Sequence, residues 1–155
     1  MTINYALGLL GPNKDPLDTV GTLDLGGAST QIAFIPSGEP YHGEGAANLT
    51  LFGVPYFLYA ESFLGYGVDQ ARFRLNASVP VQGSEHLDPC IQDGYRSPFG
   101  AGELVGTGNA AECSGMMGNL LNITDGSFID GSSIPTLRGT FYAFSGIYHF
   151  FMVIF

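Results

Sequence analysis

Basic residues are scarce in this sequence, and their scarcity limits what the chain can bind. Lys and Arg together number 5 among 155 residues, against 14 Asp and Glu, so the formal net charge is −9. Nucleic-acid binding requires clustered cations that neutralise phosphates, so nucleic acid is excluded as a partner. The composition is otherwise that of a folded protein, with 45% hydrophobic and 12% charged residues. A chain of this length can bury one sizeable core.

Cysteines and long apolar runs are scarce as well. The two cysteines, Cys90 and Cys113, are too few for a structural zinc site, and neither has a neighbouring His or basic residue that would activate it as a nucleophile. The apolar stretch 141–155 is shorter than the ~20 residues of a spanning helix, so we expect a buried element. The residues after Met1 show no signal peptide. Both ends therefore resemble cut elements, and we expect a fragment of a longer protein.

The most informative stretch is VGTLDLGGASTQIAF, residues 20–34. An apolar, β-prone segment ends at Leu25, two glycines interrupt it, and Thr30, Ile32 and Phe34 then alternate with small or polar residues. This pattern predicts a strand, a tight turn and a second strand. The alternative, an ordinary hairpin whose glycines only make the turn, stays open for these residues alone.

The turn of this hairpin has the residues of a metal–phosphate site. The backbone amides of Gly26, Gly27, Ala28 and Ser29 can form an anion-binding nest, because no Cβ of the glycines obstructs a ligand. Asp24 lies beside the nest, and Ser29, Thr30 and Gln31 offer hydroxyl and amide groups at its rim. A carboxylate next to a phosphate requires a cation between them. Because the hairpin has no Lys or Arg, we expect a phosphate substrate to arrive as a Ca²⁺ or Mg²⁺ complex.

The string DLGGASTQ resembles the phosphate-binding hairpin of the ectonucleoside triphosphate diphosphohydrolases, the apyrase family of the actin/hexokinase-like superfamily. Two further stretches are similar to the cell-surface members of that family. They are Ser62–Gln70 (SFLGYGVDQ), which has Gly65 where the family has cysteine, and the Pro89–Tyr95 element (PC–GY). The resemblance implies an α/β fold of the two-lobed, ribonuclease H-like type. It covers nearly the whole chain, so we expect residues 1–155 to be one partial apyrase-type domain.

The pattern of the remaining chain predicts a few further elements. We expect a core helix in residues 1–10, two short strands in residues 48–60, a helix in residues 68–75, an irregular region in residues 76–108, and a helix that follows the capping box Asn109–Glu112.

The resemblance also implies chemistry for particular residues. It implies hydrolysis of nucleoside tri- and diphosphates to monophosphate and phosphate. The hairpin residues themselves predict that Asp24 holds the metal through a water and that Ser29 and Gln31 orient the attacking water. The resemblance places the general base, a glutamate, shortly before Met1, and a second phosphate loop further upstream, so we expect this chain alone to be inactive or nearly so. Tyr148 or His149 matches a region where the family stacks the base on an aromatic ring; a place in a buried aromatic cluster is the equal alternative.

Other features favour a secretory route. If the chain is extracellular, Cys90 and Cys113 are expected to form a disulfide, which the resemblance supports. Three glycosylation sequons begin at Asn48, Asn76 and Asn122. We therefore expect the parent protein to be extracellular-facing, in a membrane or the secretory pathway, with any anchor outside this chain. The competing interpretations are an exopolyphosphatase-type phosphatase, which has Glu in place of Gln31, a secreted module without catalysis, and a truncated product without function.

Overall fold

The computed structural model describes residues 1–121 and 134–149. These residues divide into two compact units, the first of residues 1–68 and 134–149, and the second of residues 69–121. Both units combine strands with helices, so the predicted α/β class is confirmed.

The first unit contains a five-stranded sheet that carries the predicted hairpin. Its strands are β1 (Gly21–Leu25), β2 (Ser29–Phe34), β3 (Ala46–Leu51), β4 (Val54–Leu64) and β9 (Phe141–Ser145). The spatial order is β3-β4-β2-β1-β9, with β9 parallel to β1 and the other neighbours antiparallel. The hairpin β1–β2 therefore lies inside the sheet, where strands on both sides fix its register.

The two faces of this sheet have different roles. One face carries the buried cluster of Ile32, Phe34 and Tyr59, against which Leu23, Phe63 and Phe141 pack. Helix α1 (Thr2–Ala6) lies over the opposite face. Its first residues line one cavity together with Thr22 and Asp24 of β1. The alternation of side chains along each strand thus places this cluster on one face of the sheet and Thr22, Asp24 and Gln31 on the other.

The second unit contains a smaller sheet and most of two helices. Its strands are β5 (Val81–Gln82), β6 (Glu85–Asp88), β7 (Arg96–Phe99) and β8 (Gly102–Gly106), in the order β5-β6-β8-β7. Helix α2 spans Val68–Ser78 and helix α3 spans Ala110–Leu120. A disulfide between Cys90 and Cys113 joins α3 to the turn after β6. Among the described helices of both units, none has the length and hydropathy required to cross a membrane.

The predicted elements are partly confirmed. The strands around Gly53 and the helix that begins at Val68 are present, and Asn109 caps α3 by accepting a hydrogen bond from the Glu112 N–H at 3.2 Å. The prediction of an irregular region from 76 to 108 is wrong, because it contains β5–β8, whose two to five residues are too short to show a clear alternation. The first helix is shorter than predicted, since α1 ends at Ala6 and Gly8 takes a φ of +67°.

Candidate functional site

A row of side chains crosses four neighbouring strands on the face of the first sheet opposite the cluster of Ile32, Phe34 and Tyr59. Asp24 of β1 pairs with Gln31 of β2, and Gln31 pairs in turn with Ser62 of β4. On its other side Asp24 pairs with Phe144 of β9. Residues directly opposite each other in a sheet have Cβ atoms about 4.5–5.5 Å apart, so the row brings the carboxylate, the carboxamide and the hydroxyl together.

This row borders a cavity of about 260 Å³. The sheet contributes Thr22, Asp24, Gln31 and Phe144 to its wall, and Met1, Thr2 and Ile3 line it on the side of α1. Two of the predicted site residues, Asp24 and Gln31, therefore share one space that has both polar and apolar walls.

The carboxamide of Gln31 is held by two serines. Its Nε2 donates one hydrogen bond to the Ser29 Oγ and another to the Ser62 Oγ, the second at 3.2 Å. Ser29 was predicted from the sequence to act together with Gln31, and their contact is present. Ser62 was not predicted, because it follows the turn by more than 30 residues and only the pairing of β2 with β4 brings it to Gln31.

Asp24 has the features of a cation ligand. Its Oδ1 is buried and accepts no hydrogen bond from any described residue. A buried carboxylate oxygen without a partner is costly unless a cation or water satisfies it, so the residue fits the predicted Ca²⁺ or Mg²⁺. Within residues 1–121 and 134–149, no three His, Cys, Asp or Glu side chains cluster around a metal position. Water and substrate oxygens would therefore have to supply the other ligands.

In the turn of the hairpin, the carbonyls of Gly26 and Ala28 are hydrogen-bonded, whereas two of the amides are not bonded to any described residue. The Gly26 N–H donates to the Ser29 carbonyl at 3.0 Å, while the carbonyls of Gly26 and Ala28 accept from the Val68 and Gly65 amides, both at 2.9 Å. The amides of Gly27 and Ala28 make no hydrogen bond to a described residue. Four amides were predicted to form the nest. The Gly26 amide is already bonded within the turn, and Ser29 is the first residue of β2, so Gly27 and Ala28 remain as the open donors.

The segment Gly65–Val68 holds this turn in place. In addition to the two amide bonds, Thr30 Oγ1 donates to the Tyr66 carbonyl at 2.6 Å. Gly67 lies so close that a Cβ at this position would be 2.3 Å from the Gly27 carbonyl oxygen and 2.4 Å from the Ser29 nitrogen. Thr30, which was predicted at the rim of the nest, thus has its hydroxyl bonded to this segment.

The remaining predicted residues lie outside the cavity or outside the described chain. Tyr148 is 55% exposed, makes an edge contact with the His149 ring, and does not line the cavity. Asn48 is exposed within the edge strand β3, which begins two residues before it. Asn76 lies within α2, because the helix continues past the predicted end at residue 75, and Asn122 lies outside the described residues.

The comparison with known proteins agrees with the hairpin and its surroundings. The sequence model of the GDA1/CD39 (nucleoside phosphatase) family matches residues 1–153 of this chain. The chain belongs to this family. The resemblance found in DLGGASTQ and the stretches after it is therefore confirmed.

Several relatives in the family are similar to this chain over nearly all of its length. Ectonucleoside triphosphate diphosphohydrolase 8 of Bos taurus is 35% identical over 97% of this chain and 37% of the relative. Ectonucleoside triphosphate diphosphohydrolase 1 of Mus musculus is 32% identical over 96% of this chain and 36% of the relative. The chain thus spans just over a third of the length of these curated relatives. A crystal structure of nucleoside triphosphate hydrolases from Neospora caninum matches 61% of this chain and 20% of its own, with 26% identity and a TM-score of 0.44.

Proposed function

We propose that the protein hydrolyses nucleoside tri- and diphosphates to monophosphate and phosphate, and that it takes the nucleotide as a complex with Ca²⁺ or Mg²⁺. The observation that carries this proposal is the unpartnered carboxylate oxygen of Asp24, in one cavity with Gln31 and next to a turn with two open amides. The family supports nucleotides as the substrate class, since its description and the names of the relatives refer to nucleoside phosphates.

Each residue of the site has a role in this proposal. The amides of Gly27 and Ala28 bind phosphoryl oxygens, and the carbonyls of Gly26 and Ala28 are kept away from them by Gly65 and Val68. Ser29 and Gln31 orient the water that attacks the terminal phosphoryl group, and Asp24 holds the cation through a water. When bound, the cation neutralises phosphate charge, which the hairpin itself cannot do because it has no basic residue. Tyr148 is proposed to stack on the nucleotide base.

The general base is proposed to come from outside the described residues. Asp24 is the only ionisable side chain among the described residues that line the cavity, and the proposal already assigns it to the cation. The resemblance places the base in a glutamate with no counterpart in this sequence. We therefore expect the 155-residue chain to bind a metal–nucleotide complex but to release phosphate from it slowly or not at all.

The proposal includes an extracellular-facing, glycosylated parent protein. It is supported by the disulfide between Cys90 and Cys113 and by the exposed position of Asn48 on an edge strand. Asn76 and Asn122 are proposed as further glycosylation sites.

Calorimetric titration with a non-hydrolysable ATP analogue tests the proposed function. We expect the wild-type chain to bind the analogue when Ca²⁺ or Mg²⁺ is present and to bind it at least tenfold more weakly without either cation. Asp24→Asn removes the charge with little change of shape and should weaken binding by tenfold or more. Asp18→Asn removes the same charge from an exposed residue and serves as the control.

Two outcomes would contradict the proposal. Equal affinity with and without a divalent cation would show that nucleotide binding does not depend on the cation that Asp24 is proposed to hold. Absence of binding in a folded chain would favour a hairpin that only makes a turn. Competition between polyphosphate and the ATP analogue tests the exopolyphosphatase alternative. Tighter binding of polyphosphate, which has no nucleoside, would indicate that nucleotides are not the substrate.

A further inference from the structure

We propose that Ser62 is a positioning residue for Gln31, and that it fixes the Gln31 carboxamide with its oxygen available to the attacking water. This inference rests on the proposed function and adds to it a residue on a different strand from the hairpin. Ser62 contacts Gln31 rather than the position assigned to the phosphates, so it acts through Gln31 and is not a catalytic residue.

The backbone places Ser62 firmly. It lies near the end of β4, an 11-residue strand between β2 and β3 in the sheet, and it is the direct partner of Gln31 in the register of β2 and β4. The Gln31 Nε2 donates to its Oγ at 3.2 Å. The pairing of β4 with β2 continues past Ser62 to Leu64, so the serine hydroxyl is held at the same height of the sheet as Asp24 and Gln31.

The two serines together determine which atom of the carboxamide remains available. A glutamine side chain has two N–H donors and one carbonyl oxygen. One N–H is directed at Ser29 and the other at Ser62, so both donors are used. The carbonyl oxygen Oε1 makes no hydrogen bond to the residues that the structure describes.

This arrangement distinguishes water from phosphate as the partner of Gln31. A phosphoryl oxygen is only an acceptor, so it cannot bind a carbonyl oxygen, whereas a water molecule can donate to it. Gln31 is therefore restricted to the water, and phosphate contacts are left to the amides of the turn. Without Ser62 the carboxamide could rotate and present an N–H to a phosphoryl oxygen, which would bind substrate without orienting the nucleophile.

Steady-state kinetics of the protein at its natural length test the positioning role. We expect Ser62→Ala to lower kcat about tenfold, the effect of one lost hydrogen bond, while KM stays within twofold. Ser62→Thr keeps the hydroxyl and should restore most of kcat. Ser37→Ala, an exposed serine in the loop after β2, serves as the control. An unchanged kcat in Ser62→Ala, or no recovery in Ser62→Thr, would overturn the inference.

A second measurement does not depend on activity. In ¹⁵N-labelled 155-residue chain, the Nε2 signals of Gln31 can be assigned by their loss in Gln31→Glu. Ser62→Ala should shift these signals, and Ser37→Ala should leave them in place. If the natural protein hydrolyses no nucleotide, the proposed function fails, yet these signals still report on the pair. Unshifted Gln31 signals in Ser62→Ala would overturn the positioning role itself.

Discussion

Asn4 holds the main chain of Val20, 16 residues away, by both of its polar groups. The Val20 N–H donates to the Asn4 Oδ1 at 2.8 Å, and the Asn4 Nδ2 donates to the Val20 carbonyl at 2.9 Å. Asn4 is only 2% exposed, so water cannot replace its contacts. This pair fixes α1 to the start of the hairpin, and thereby places Met1, Thr2 and Ile3 over the cavity that contains Asp24.

Replacing Asn4 should therefore affect both stability and ligand binding. We expect Asn4→Ala to lower the free energy of unfolding by about 2–3 kcal/mol, because two hydrogen bonds are lost and the Val20 N–H and carbonyl are left without partners. Nucleotide-analogue binding should weaken with it, since α1 forms one wall of the cavity. Urea denaturation gives the stability, with Asn13→Ala, at an exposed position, as the control. Equal midpoints for the two variants would contradict the structural role of Asn4.

Two buried tyrosines of β4 should respond in opposite directions to loss of the hydroxyl. The Tyr56 OH accepts a hydrogen bond from the Gly11 N–H at 3.0 Å, whereas the Tyr59 OH is buried without a partner among the described residues. We expect Tyr56→Phe to destabilise the protein by about 1–3 kcal/mol and Tyr59→Phe to stabilise it by up to about 1 kcal/mol. Thermal and urea unfolding of both variants measure the difference; a destabilised Tyr59→Phe would mean that its hydroxyl has a partner.

Tyr59 should also make stability depend on alkaline pH. Burial, followed by the nearby charge of Glu61, raises the pKa of Tyr59 above its ordinary value of about 10. Because the unfolded chain releases this proton at lower pH than the folded chain, the free energy of unfolding should fall as the pH rises above 10. Urea denaturation between pH 9 and about 11 measures this slope, which should be shallower in Tyr59→Phe. An identical slope in that variant would assign the pH dependence to other groups.

The disulfide should stabilise the second unit. Cys90 and Cys113 are 23 residues apart in the sequence, and a loop of that length corresponds to about 3 kcal/mol in the chain-entropy model. We expect Cys90→Ser with Cys113→Ser to lower the unfolding free energy by roughly this amount. A reducing agent should destabilise the wild type to the same degree and leave the double variant unaffected. A reductant effect on the double variant would show that the loss does not come from this bond.

The sequence predicts those parts of the fold whose signal is local. The glycines after Leu25 and the alternation from Thr30 to Phe34 predicted the hairpin, and Asn109 with Glu112 predicted the start of α3, because turn and cap chemistry depends on a few neighbouring residues. The small sheet of the second unit was missed for a physical reason. Its strands are held by pairing between segments such as β6 and β8, and they have too few residues for a hydrophobic period to be visible.

The candidate site shows the same division. Asp24, Ser29 and Gln31 lie within eight residues of one another and were predicted together. Ser62 and Phe144 reach the same row only through strand pairing, which the sequence does not specify. The occupied amide of Gly26 was likewise not predictable, since it depends on the exact closure of the turn and on the segment that packs against it.

The segment Gly65–Val68 allows a direct test of how the turn is held. Gly67→Ala would place a methyl group 2.3 Å from the Gly27 carbonyl oxygen, and main-chain atoms cannot yield as a flexible side chain does. We expect the segment to move away, with loss of the Val68–Gly26 and Gly65–Ala28 hydrogen bonds. The unfolding free energy should fall by about 1–3 kcal/mol, the usual range for overpacking, and nucleotide-analogue binding should weaken by tenfold or more, because the freed carbonyls can turn towards the phosphates.

The matched control for this change is Gly115→Ala in α3. Outside the backbone of α3 itself, no atom of the described residues lies within 4 Å of a Cβ at that position, and alanine favours a helix over glycine by about 0.5–1 kcal/mol. Gly115→Ala should therefore be as stable as the wild type or more stable, and it should bind the analogue equally well. If Gly67→Ala kept full affinity while losing stability, the packing of the turn would matter for folding alone, and the orientation of its carbonyls would have no part in phosphate binding.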